Sequence, residues 1–392
     1  MLRSLYSGIA GLHAHQQMMD ITGNNIANVN TVGFKNSQAI FEDTLSQLTG
    51  AAGAPQGGNS GTNPAQVGLG VRVAGVVTDF EQGAAQTTGK SSDMMVQGDG
   101  FFMVKDGPEM QFTRAGSFTV DANGTLTTPN GFAVQGWAAV NGAVNTAGVP
   151  TNLKLPLGAS LPPVATANIT MTGNLSNEAA LGATYDIPFQ VYDSTGAPST
   201  VTAHLTKTAS DTYSVDLMDA SNNNIGSSSI QFTNGKGPAS ITLGAYNVDT
   251  HDMTQYSGND EARVSDADGS SAGTLNSLAY TVSDTGEVVG VFSNGLKQKL
   301  GQVALATFRN VNGLEKAGDS TFRATSNSGL AQVGVAGSAG HGTIMNGALE
   351  MSNVDLAKEF SNLIIAQRGF QANSRIITTS DEILQELVSI KR

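Results

Sequence analysis

The chain has 392 residues, enough for roughly two to four domains, and no cysteine, which excludes disulfides and thiolate metal sites. Charged residues are 13% of the total, against about 25% in ordinary globular chains, so Ser, Thr, Asn, Gln and Gly must build the surface. The net charge of −12 argues against nucleic acid or an anionic membrane as partner, and no apolar run approaches a membrane span of ~18–20 residues, so no direct membrane insertion is expected.

Residues 1–30 carry a helical period. Leu5, Leu12, Met19 and Ile26 recur every seventh residue, with Leu2 and Ile9 in the neighbouring column and Gln16 and Gly23 interrupting it. The opening stretch MLRSLYSGIAGLHAHQQ has a broken apolar run and no small-residue cleavage site, so it is expected to be retained and not cut as a secretory signal. Asn24, Asn25, Asn28 and Asn30 with Gly33 form an amide-rich exit, suited to a helix cap and turn. Residues 37–48 are read as a further short helix. Residues 50–70, mostly Gly, Ala, Pro, Asn and Gln, read as a linker, or as a strap that orders against a neighbour.

Short strands begin at Val71. VRVAGVV, FFMV, QFTRAGSFTV and FAVQGWAAV alternate apolar and polar residues, separated by turns at Gly98-Asp99-Gly100, Asn123-Gly124 and Asn130-Gly131. Trp137, the one tryptophan, is the expected anchor of this β core. A second β-rich region covers 148–277, with IPFQVYD, STVTAHLTK and TYSVDLM as strands and turns at 222–224 and Asn234-Gly235. LAYTVSDTGEVVGVFSNG and LGQVALATFRNV return to the earlier strand style, and 329–347 is again glycine-rich.

The last forty residues form the second helical segment. Leu356, Leu363, Phe370, Ile377 and Leu384 recur every seventh residue, and Phe360 and Val388 share the companion positions with the polar Gln367, Ser374 and Asp381. Ser352 and Asn353 are candidate caps, Asp355 suits the helix start, and Lys391 and Arg392 suit its end. The two heptad helices are natural partners. The expected seam joins Leu5, Ile9, Leu12, Met19 and Ile26 to Leu356, Phe360, Leu363, Phe370, Ile377, Leu384 and Val388. Ile364, Ile376, Ile383, Leu387 and Ile390 lie off this seam and leave apolar surface that one partner helix cannot hide.

Motifs for chemistry are lacking. His13, His15, His204, His251 and His341 include no pair at the i, i+4 spacing of helix-borne ligands. Gly68 and Gly70 are not followed by the helix and third glycine of a dinucleotide site, and no GxSxG occurs. No catalytic, cofactor or metal site is therefore assigned, and the chain is not read as an enzyme. A binding-module reading would place a ligand near Tyr185, Tyr192 and Tyr213, which otherwise read as core or strand-face aromatics.

ITGNNIANVNTVGFK, SNVDLAKEFSNLIIAQRGFQANSRIITTSDEILQEL and LYSGIAGL resemble the terminal signatures of the bacterial flagellar rod, hook and hook-associated axial proteins. The signature positions carried over are Asn24, Asn25, Ala27, Asn28, Gly33, Phe34, Gln367, Arg368, Gly369 and Phe370. NPAQVGLGV, FEQGAAQTTGKSSDMMVQGDGFF, FTRAGSFTVDANG and LGQVALATF extend the match inward, and PFQVYDSTG is similar to the outer domain of hook-type members. The resemblance implies a mixed, mainly β fold: two nested β-rich domains on a terminal α-helical coiled-coil pair, with extended glycine-rich linkers. The expected divisions are 1–30 with 352–392 for the helices, 31–70 with 325–351 for the connectors, 71–147 with 278–324 for an inner β domain, and 148–277 for an outer one. It further implies a structural subunit that self-assembles into the hook, a curved helical tube acting as a universal joint that transmits torque from rod to filament. The distal rod subunit, described as shorter and without the second β region, is the alternative. Implied partners are further copies of the chain in a helical homopolymer, the distal rod protein, the hook cap protein, the first hook–filament junction protein and the flagellar type III export apparatus. The implied location is extracellular, in the flagellar hook and basal body, reached without a cleaved signal peptide.

Overall fold

Two long helices bracket the chain, α1 over Leu2–Ala27 and α2 over Leu356–Ile390, and strands fill nearly all that lies between. The computed structural model describes residues 2–54, 60–156, 158–338 and 340–390, with the side chains at 2 and 276–279 excepted. At ~1.5 Å per residue the 35 residues of α2 span ~52 Å. No helix among the described residues is long and apolar enough to cross a membrane.

The chain divides into two compact units. The first comprises Met1–Leu155, Tyr280–Val289 and Lys299–Arg392, and the second Pro156–Ala279 and Gly290–Gln298. In the first unit Phe101–Asp106 pairs with Glu109–Thr113, which pairs with Thr321–Arg323, while Ala133–Val140 pairs with Phe101–Asp106 and with Lys297–Thr307. Alternate residues of these strands meet in a core of Phe101, Met103, Phe112, Trp137, Ala304, Ala306 and Phe322. Trp137 buries its rings there and donates Nε1–H to the Gly148 carbonyl at 2.6 Å, which keeps its polar edge satisfied.

The second unit contains an antiparallel meander of Thr184–Tyr192, Pro198–Ala209, Thr212–Met218 and Asn224–Gln231. Its core also draws on the sheet built around Asn168–Asn174. Val201, Ala203 and Leu205 face inward at every second position, as period-two patterning requires. The turn at Asn234-Gly235 has positive φ at both residues, the geometry for which this dipeptide is suited.

Three expectations are corrected. Residues 37–48 are not helical: Ser37–Asp43 pairs with Val71–Thr78, and Ser46–Gly50 pairs with Ala65–Gly68. Long-range pairing overrides the local helical preference of this stretch, and the strand also packs on α1. The linker expected over 50–70 thus contains part of a paired ribbon, and its residues 55–59 lie outside the described residues, as do Lys391 and Arg392. The glycine-rich tract before α2 is likewise paired. Gln332–Val335, Thr343–Asn346 and Ala348–Glu350 join Lys297–Thr307, Met94–Gln97 and Ala85–Thr87 respectively.

Candidate assembly interface

Both helices enter the first unit through one buried junction. α1 ends at Ala27, and Asn28 turns back to donate its amide to the Asn24 carbonyl at 3.0 Å and to Asn24 Oδ1 at 2.7 Å. Gly33 follows with φ +67°, and its N–H donates to the Glu350 carbonyl at 2.7 Å. A side chain at 33 would place Cβ 2.4 Å from the Ala115 nitrogen, so only glycine fits. Lys35 then reaches Glu350 at 2.6 Å, both side chains fully buried, and also donates to the Glu81 carbonyl. Arg114 approaches the other Glu350 oxygen at 3.6 Å and lies 5.0 Å over the Phe101 ring. Burial pushes the Lys35 ammonium below the usual lysine range, a shift that Glu350 opposes. Lys316, lowered by the same cause, covers the Phe34 ring at 5.0 Å and donates to the Lys35 carbonyl.

The start of α2 is tied to the same place. Asp355, not Ser352 or Asn353, caps the helix, accepting from the N–H groups of Ala357 at 2.8 Å and Lys358 at 3.3 Å. Asn353 is engaged elsewhere: its amide donates to the Asp79 carbonyl and its oxygen accepts from the Asn36 N–H. Asn25 donates to the Ser37 carbonyl and to Glu359 Oε2, joining α1, the first strand and α2.

From this junction the helices run antiparallel. Gly11 lies against Asn373, His15 against Gly369, and Asn25 against Glu359, pairs whose numbers add to 384 in each case. The buried positions are small or polar: Gly8, Gly11, Ala14, Thr22 and Asn25 on α1, and Glu359, Ala366 and Ser380 on α2. Each α2 member is seven residues from the next, counting Asn373 between Ala366 and Ser380. The intrachain seam is therefore a heptad of small or polar residues, with close approach at Gly8, Gly11 and Gly369. It is not the aliphatic heptad expected from the sequence.

The aliphatic heptads flank this seam. Leu5, Leu12, Met19, Ile26, Leu363, Phe370, Ile377 and Leu384 are half-buried, while Ile9, Leu356, Phe360 and Val388 are exposed. Of the signature positions, Asn25 and Gly33 are buried, and Asn28, Phe34, Gly369 and Phe370 are half-buried. Asn24, Ala27, Gln367 and Arg368 are exposed. Phe360 is 51% exposed, Ile364 58%, Ile365 59% and Val388 71%, and Ile376, Ile383, Leu387 and Ile390 are open as well. These side chains give α2 a large open apolar face. Sequence reasoning missed the roles of Gly8, Gly11, Lys35, Glu350 and Glu359. The seven-residue recurrence of Glu359, Ala366, Asn373 and Ser380 was the signal available.

The aromatic candidates of the second unit do not converge on a ligand site. Tyr213 is a core residue whose hydroxyl donates to the Ser176 carbonyl at 2.8 Å, and burial raises its pKa. Tyr185 packs at the edge of that core, and Tyr192 donates to Gln190.

Comparisons with known proteins bear on all three parts of the chain. Residues 5–35 match a family described as flagella basal body rod protein, 95–176 the flagellar hook protein FlgE/F/G D1 domain, and 345–390 the flagellar basal body rod FlgEFG protein C-terminal. The flagellar hook protein FlgE of Borreliella burgdorferi is 39% identical over 446 aligned residues, covering 100% of both chains. The flagellar basal-body rod protein FlgG of Bacillus subtilis is 34% identical over 393, again covering 100% of each. Its full-length match removes chain length as the criterion that separates hook from rod. The crystal structure of Helicobacter pylori flagellar hook protein FlgE2 has a TM-score of 0.52 at 15% identity, covering 68% of this chain and 100% of that one, a likeness of fold.

Proposed function

The chain belongs to the flagellar hook and basal-body rod protein family, and from that membership we propose that its half-covered helix pair is the surface through which copies stack into a helical tube. It is a structural, non-enzymatic subunit of the flagellar hook, located in the hook and basal body. The observation that carries the stacking reading is the exposed apolar face of α2, led by Phe360, Ile364, Ile365 and Val388. A small-residue seam holds α1 and α2 together but leaves the aliphatic flanks open. Each flank gains the hydrophobic term, ~1.5–3 kcal/mol per large side chain, only when a further copy covers it. Head-to-tail contacts of one kind that do not close on themselves generate an open helix.

Bending as a universal joint asks neighbouring copies to exchange contacts while torque passes through the core. A surface poor in charge and rich in Gly, Ser, Thr and Asn suits this, since its contacts are water-bridged and not fixed ion pairs. Export through the flagellar type III apparatus with no cleaved signal, an extracellular location, and end contacts with the distal rod, hook cap and first junction proteins complete the reading. The full-length similarity to the Bacillus subtilis rod protein favours a place in the distal rod as a second reading. Immunoelectron microscopy of isolated basal bodies separates the two by where label falls.

Electron microscopy of the purified chain after adding a precipitating salt tests the stacking. Tubes are expected from the wild type, and dispersed monomers with unchanged melting from Phe360→Asp. Tube formation by Phe360→Asp at wild-type concentrations would defeat the reading.

A further inference from the structure

The seam of α2 changes character along its length. Opposite α1 its positions are Glu359, Ala366, Gly369, Asn373 and Ser380, small or polar, with the aliphatic Ile376 facing Gly8 among them. The antiparallel register puts Leu2, the first residue of α1, opposite residue 382. The same column continues as Ile383, Leu387 and Ile390, all aliphatic and exposed, the last at 79%. Beyond the reach of α1 the column is wholly aliphatic, and these three side chains stay exposed among the described residues. The length of this tract is about 12 Å, two helical turns.

Charge divides α2 in the same way. Residues 356–375 carry the exposed cations Lys358, Arg368 and Arg375, and their one carboxylate, Glu359, is turned inward to Asn25. Residues 381–386 carry Asp381, Glu382 and Glu386, all exposed, and no cation; Lys391 and Arg392 follow in the sequence, outside the described residues. The lower half also holds the open apolar residues Phe360, Ile364 and Ile365. Leu387 is separated from these by ~33–41 Å along one continuous helix. One molecule cannot fold its own two patches together, but two molecules can.

We propose that the last two turns of α2 dock on the lower half of α2 of a second copy. Ile383, Leu387 and Ile390 then cover Phe360, Ile364 and Ile365, while Asp381, Glu382 and Glu386 meet the basic half. The contact is heterologous and leaves one free patch of each kind after every addition, so it propagates. It rests on the stacking reading above and specifies which surfaces meet.

The absence of cysteine makes the test clean. Leu387→Cys is combined in turn with Phe360→Cys, Ile364→Cys or Ile365→Cys in the full-length chain, and salt-induced assemblies are oxidised. A ladder of covalent multimers is expected from at least one combination, and none from the single-cysteine chains. Wild-type tubes with no ladder from any combination overturn this contact and leave stacking intact. A ladder is required, so absence of both tubes and ladder overturns both readings. A covalent dimer from Leu387→Cys alone overturns the head-to-tail arrangement, because it means like ends meet. Leu387→Asp changes an exposed side chain and is expected to melt as the wild type while raising the protein concentration needed for assembly about tenfold or more. An unchanged threshold overturns the proposal.

Discussion

Glu350→Gln isolates the charge at the junction of the two helices. The amide keeps the shape and an acceptor for the Gly83 N–H and Lys35, yet removes the anion that Lys35 meets at 2.6 Å. Breaking one side of a buried pair costs about 3–5 kcal/mol. An independent ceiling comes from the escape open to Lys35, which is to lose its proton. Going from the ordinary 10.5 to neutral solution at pH 7 costs about 5 kcal/mol at ~1.4 kcal/mol per pH unit. The two figures agree, and for a domain of this size they correspond to a fall in Tm of about 10 °C. The sign with pH follows. Burial already lowers Lys35 in the folded state, so below 10.5 the unfolded chain holds more protons and stability rises with pH. Losing Glu350 removes what holds Lys35 up against burial, so its pKa falls further in the variant and the deficit should shrink as pH rises towards 10.5. Replacing the cluster together, with Lys35→Met, Arg114→Met and Glu350→Leu, should recover at least half of the loss. Calorimetric melting of the full chain at both pH values measures this. A Tm for Glu350→Gln within about 2 °C of the wild type at pH 7 would show that the pair is not what holds the junction.

Gly369→Ala should lower the melting of the helix pair by about 1–3 kcal/mol, because its Cβ falls 2.4 Å from His15 Cε1. Gly23→Ala, which meets no atom within 4 Å, should instead raise it by about 0.5–1 kcal/mol; far-UV circular dichroism reads both. In the second unit the raised pKa of Tyr213 means that the unfolded chain loses this proton first, near pH 10.0, so stability falls as pH rises beyond that value. Tyr213→Phe should flatten that fall while costing about 1 kcal/mol at neutral pH, where the Ser176 carbonyl loses its donor. An alkaline limb as steep in the variant as in the wild type would contradict this.

The helices and most strands were legible because their periodicity is local. VRVAGVV and TYSVDLM alternate cleanly, and Leu356 to Leu384 recurs without a break. Exposure at Ile364, Ile383 and Leu387 also follows from their placement off the aliphatic column. The intrachain seam was not found because a template that counts only large apolar residues passes over Gly8, Gly11 and Ala366. Residues 37–48 misled for a different reason: their partner strand lies some thirty residues away, and its pairing decides the outcome. Lys35 and Glu350, 315 positions apart, leave no trace in local pattern. Only the fold brings them together.

Because both terminal helices run into the Lys35–Glu350 pair, a pull on either one reaches the β strands of the first unit through that shared fastening, alongside the bonds of Asn25 to Ser37 and of Asn353 to Asp79. That fastening is short, dry and made of opposed charges, so it resists small displacements stiffly and has little capacity to stretch. Mechanical overload of one molecule should therefore end in an abrupt release at that point, with the strands behind it still folded.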